Sequence, residues 1–95
     1  LWLTDITATS SNINTDVEIY VSAHKLKYVF IFNCTFNAYG IQNLVIIMDT
    51  KNVYYNSIIN SLVQYKFTDY SIYAKASSTN AGNISSQYFR AVIVF

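Results

Sequence analysis

Lys27-Tyr28-Val29-Phe30-Ile31-Phe32-Asn33-Cys34-Thr35-Phe36 is the stretch that decides the fold. Its β-branched and aromatic residues run without a polar interruption from Tyr28 to Phe32, which suits a strand covered on both faces by core or by a neighbouring subunit. It predicts the centre of a sheet. Upstream, Ile13 to Val21 alternates: Val17, Ile19 and Val21 point one way while Asp16, Glu18 and Tyr20 point the other, so this segment predicts a half-buried strand. Downstream, Asn43 to Asp49 and Tyr70 to Ala76 read as further strands, and Gln87 to Phe95 ends the chain with Phe89, Ala91, Ile93 and Phe95 on one face. Trp2 stands beside Leu1 and Leu3 in an apolar opening strand and reads as core.

The connections are built without proline and with two glycines, Gly40 and Gly82, so Asn, Asp and Ser must make most turns. Ser22-Ala23-His24-Lys25 has the length of a hairpin connection, Asn37 to Gly40 is the next turn, and Ser77 to Asn83 is a polar loop. The segment Val53 to Lys66 is ambiguous, because Ile58, Ile59, Leu62, Val63 and Lys66 also fit a helical stripe. A short helix near 56–64 is allowed for. Seven or eight short strands spaced by about ten residues predict an all-β chain, an antiparallel β-sandwich of jelly-roll-like character. The 95 residues support one core, so 1–95 is read as a single domain, expected to be a fragment of a longer chain.

Composition narrows the chemistry. Hydrophobic residues make up 53% of the chain and charged residues 12%, against about 25% in an ordinary domain. A domain this apolar should expose sizeable patches unless copies cover one another, which favours an oligomer. The net charge of +1, with Lys25, Lys27, Lys51, Lys66, Lys75 and Arg90 dispersed, offers no block to neutralise phosphates, so nucleic acid is not an expected partner. No apolar run approaches the about 20 residues of a membrane helix, and no membrane insertion is expected. Cys34 is alone, which rules out an intramolecular disulfide. With His24 the single histidine and no loop of alternating acids, neither a metal nor another cofactor is expected.

Catalysis lacks a cast. The acids Asp5, Asp16, Glu18, Asp49 and Asp69 gather in no motif, and the Asp16/Glu18 pair at i, i+2 reads as a solvated strand face. No enzyme is expected. What the chain has in quantity is aromatic rings, nine Tyr, six Phe and Trp2, together with ten Asn. Tyrosine supplies rigid amphipathic contact area and Asn supplies paired donors and acceptors, as adaptable binding surfaces and sugar sites require. Tyrosine is equally a favoured strand residue. The candidate ligand-binding residues are Asp49 and Asn52 with Tyr54 and Tyr55 following, and the turn residues Asn37 and Tyr39. An acid, amides and tyrosines within a few residues can form a hydroxyl-binding rim, and Asp49-Thr50-Lys51-Asn52 is also ordinary turn chemistry.

The opening Leu1-Trp2, the strand Val17 to Val21, the Tyr28-Val29-Phe30-Ile31-Phe32 strand and the terminal Tyr88-Phe89-Arg90-Ala91-Val92-Ile93 follow an order that resembles the C-terminal head domain of receptor-binding and minor tail proteins from phages of Gram-positive hosts. The resemblance implies a small β head, usually a homotrimer, at the extracellular tip of a virion tail or fibre. Such a head binds host cell-wall saccharide or teichoic-acid-like polymers without hydrolysing them. No binding residue of that family carries over by position. The alternative is a structural assembly module of a virion, tail or pilus-like particle that binds no glycan.

Overall fold

The computed structural model describes residues 2–8, 15–36, 40–56, 63–76 and 87–95. They form eight strands: β1 (Trp2–Ala8), β2 (Val17–Val21), β3 (Tyr28–Phe36), β4 (Gly40–Met48), β5 (Tyr55–Asn56), β6 (Val63–Phe67), β7 (Ser71–Ala76) and β8 (Gln87–Val94). Two antiparallel four-stranded sheets result, one in the order β1-β8-β3-β4 and the other β2-β7-β6-β5. The chain is an all-β sandwich. The outer pairs β1·β8 and β2·β7 nest in jelly-roll fashion, while β3·β4 and β5·β6·β7 pair neighbours in sequence. Among the described residues there is no helix: Asn56 lies in β5 and Val63 in β6, and 57–62 lie outside the described residues.

The core is the interleaving of two alternating patterns. Sheet one contributes Ile6, Val29, Ile31, Ile46, Met48, Ala91 and Ile93; sheet two contributes Val63, Tyr65, Phe67, Ile72 and Ala74. In β6 every second residue is buried, leaving Gln64 and Lys66 on the outer side, which is the period-2 rule acting on one face. Each fully buried Ile, Met or Phe side chain contributes about 1.5–3 kcal/mol relative to an exposed one. β3 takes its predicted central place between β8 and β4. Its two faces differ, however: Val29 and Ile31 are fully buried, whereas Phe30 and Phe32 are half-buried on the outer side.

Three expectations are corrected. The strict alternation of β2 breaks at a bulge between Glu18 and Tyr20, so that Ile19 and Tyr20 both pack against the core and Val21 is turned outward. Ser22 to Lys25 is not a hairpin connection, because β2 and β3 belong to different sheets; it is the start of a crossing whose Leu26 is buried between them. Trp2 is not core. It lies at the end of the sandwich, opposite Ile93, with 55% of its surface exposed.

Candidate functional site

The loop after β4 carries the chain from one sheet to the other, and that task consumes most of its polar groups. Tyr55 Oη donates to Asp49 Oδ1 at 2.9 Å, the Thr50 N–H donates back to Tyr55 Oη at 3.1 Å, and Thr50 Oγ1 donates to Asp49 Oδ1 at 3.2 Å. Asn52 takes φ of 61° and its N–H donates to the Phe67 carbonyl at 2.9 Å, pinning the turn to the end of β6. Lys51 Nζ reaches Asp69 Oδ1 at 2.6 Å. Those bonds make Asp49 and Tyr55 a brace.

Tyr54 and Tyr55 therefore part company. Tyr55 leans on the core, whereas Tyr54 lies on the outer face of the second sheet, where its hydroxyl is 2.8 and 3.0 Å from the two oxygens of Asp16. Lys66 Nζ donates to Asp16 Oδ2 at 2.7 Å. Both lysines of this face also approach rings: Lys75 Nζ is 3.9 Å from the Tyr54 centroid, and Lys66 Nζ is 4.9 Å from Tyr54 and 5.5 Å from Tyr73. Glu18 completes the face, accepting from Ser71 Oγ at 2.8 Å. Burial would raise the pKa of Asp16, but hydrogen bonds from Lys66 and Tyr54 and the charges of Lys66 and Lys75 outweigh it and hold the carboxyl below its ordinary value. The Asp16 hydrogen bond in turn raises Lys66. With two carboxylates and two ammonium groups, this face is a charge-balanced polar platform.

No family model, curated protein or solved structure matches this chain.

The outer face of the first sheet has the opposite character. By strand register Leu3 neighbours Val92, Val92 neighbours Phe30, and Phe30 neighbours Ile47, so one apolar row crosses all four strands. Leu3 and Ile47 are 59% and 56% exposed at its two ends. The adjacent row reads Asp5, Arg90, Phe32, Val45, with Arg90 Nε donating to Asp5 Oδ1 at 2.9 Å. The charges on this face thus close on each other.

Of the residues singled out in the sequence, Asp49, Asn52 and Tyr55 form the crossing, Tyr54 joins the platform, and Asn37 and Tyr39 lie outside the described residues. The structure adds Asp16, Lys66, Tyr73 and Lys75. A signal for part of this was present: Lys66 in Val63-Gln-Tyr-Lys-Phe67 alternates with buried residues and so had to face outward.

Proposed function

We propose that this chain is a non-catalytic recognition domain of an assembled particle, a trimeric head that attaches a phage tail or fibre, at its extracellular tip, to host cell-surface carbohydrate. The observation that carries this reading is the contrast between the two outer faces. One is a polar platform suited to water, and the other is an apolar four-stranded face of the kind that copies of a chain cover for one another. Strands about 4.8 Å apart make that face about 19 Å wide. Three such faces closed around a threefold axis lie about 5.5 Å from it, near half of the about 10 Å at which two sheets stack. A near-neutral chain adds little repulsion to oppose this.

The absence of catalysis in this reading is supported by how the described acids are engaged: Asp5 with Arg90, Asp16 with Lys66, Asp69 with Lys51, Asp49 with Tyr55 and Glu18 with Ser71. A general acid or base needs a group poised toward a substrate, and these are turned toward partners in the fold.

Light scattering on the purified domain tests the assembly. The expected mass is three times the 10.8 kDa of one chain, falling to one when Leu3 and Ile47 are both changed to Lys. A wild-type monomer overturns the trimer. The apolar face equally suits a purely structural assembly module, and a glycan array separates the two: a trimer that binds no glycan belongs to the structural reading.

A further inference from the structure

We propose that Asp5 and Arg90 fix how copies of this chain meet on the outer face of the first sheet: Arg90 of one copy shares its guanidinium between its own Asp5 and the Asp5 of the next copy. The alternating charges then set the register and the number of copies. This rests on the trimeric reading above and names the specificity residues of that interface.

The charge content of the sheet is the first observation. Strands β1, β8, β3 and β4 together contain one acid and one base, Asp5 and Arg90, and the two are direct register partners on neighbouring strands. The second sheet differs, for Glu18, Lys66 and Lys75 lie in its strands and Asp16 binds Lys66 beside them. A water-covered face tolerates scattered charges, as that one does. The first face carries instead a single balanced pair among Phe30, Phe32, Val45, Ile47 and Val92. Apolar surfaces can slide over one another, whereas a polar pair set among them is satisfied in few positions.

Within one chain the pair is incomplete. Arg90 Nε donates to Asp5 Oδ1 at 2.9 Å, and among the described residues the Arg90 Nη groups meet no carboxylate. A guanidinium has five N–H donors and a carboxylate two oxygens, so each retains capacity for a second charged partner. The chain has five acids, and the other four are committed: Asp16 to Lys66, Asp69 to Lys51, Asp49 to Tyr55 and Glu18 to Ser71. The second carboxylate for Arg90 is therefore that of another copy.

Threefold closure suits this exchange. β8 is one of the two central strands of the sheet and β1 is an edge strand, so Arg90 stands toward the axis and Asp5 toward the boundary with the next copy. Three guanidinium groups converging on an axis repel one another unless carboxylates lie between them, and three copies of Asp5 supply them in equal number. In a single chain the pair is exposed and adds little to the fold. Once copies exclude water, removing either member strands a charge, which is what gives the pair its selectivity.

Sedimentation equilibrium over a range of concentrations tests this on the wild type, Asp5→Asn, Arg90→Gln and the double variant Asp5→Leu with Arg90→Leu. The single variants should weaken the trimer by at least about 100-fold, while the apolar double variant should still associate but into a mixture of masses. Urea midpoints of the same single substitutions, placed in the monomeric Leu3→Lys, Ile47→Lys background, should barely move. A contact that serves only the fold of one chain would give the reverse. A wild-type trimer whose assembly is unchanged in both single variants overturns this inference and leaves the trimer standing, as does an apolar double variant that remains one clean trimer. A wild-type monomer overturns the trimer and this inference together.

Discussion

Asp16 and Lys66 stand fifty residues apart in the chain and 2.7 Å apart in space. Their contact ties the entry of β2 to the middle of β6, across β7, and the Tyr54 hydroxyl shares the same carboxylate. Both side chains are more than two-thirds covered, so the pair is less screened than a typical surface ion pair.

Asp16→Asn should therefore destabilise the fold by about 1–2 kcal/mol, above the 0–1 kcal/mol usual for exposed pairs. Urea unfolding of the wild type, Asp16→Asn, Lys66→Met and the double variant measures it. A coupling energy near zero in that cycle would reduce the pair to a solvated contact.

The same pair sets a pH dependence with a worked sign. Asp16 is held below its ordinary 3.8, so its contribution is complete above that value and is lost as pH falls below it. Lys66 is held above its ordinary 10.5, so its contribution is complete below that value and is lost as pH rises through the higher folded one. The stability gap between wild type and Asp16→Asn should be widest near neutrality and close at both extremes. Urea midpoints across the pH range read this directly.

Asn52 occupies the left-handed region with φ of 61°. Glycine carries no Cβ penalty there, so Asn52→Gly should change stability by less than about 0.5 kcal/mol, while Asn52→Val should cost about 1–2 kcal/mol. Thermal unfolding of both variants tests the turn, and equal effects would contradict its geometry.

Among the described residues, Leu26 is the one core side chain supplied by a crossing rather than a strand. Leu26→Ala should cost about 2–5 kcal/mol through the lost methyl groups and the cavity left between the sheets. A cost below about 1 kcal/mol would mean that the crossing is not anchored by packing.

How much of this was legible in the sequence depends on the distance over which each feature is decided. The long apolar run of β3 and the alternation in β7 and β8 are local, and period-2 patterning exposed them. Sheet membership was not legible, because Ser22 to Lys25 has the length of a hairpin turn and nothing in it reports that Leu26 dives between two sheets. The bulge that turns Ile19 and Tyr20 to the same side leaves no mark on an apolar-polar pattern. Trp2 is as hydrophobic at the rim as in the core, so its exposure follows from its place at the end of a strand. Tyr54 and Tyr55 looked alike as neighbours. Which of them binds Asp49 and which Asp16 follows from strand alternation at β5 and from a partner 38 residues away.

The order of the strands also governs how the molecule comes into being. β8 lies between β1 and β3, and β7 lies between β2 and β6, so each sheet is completed by a late strand inserted into its interior. Neighbouring segments such as β3 and β4 can pair early, but joining Trp2 to Ile93 must close nearly the whole chain into a loop, a topology associated with folding in milliseconds to seconds rather than microseconds. Until then β1 and β3 each carry an unsatisfied edge toward the same gap, open to strands of other chains. The tempo of folding, and the exposure to misassembly during it, are set by how soon β8 reaches that gap.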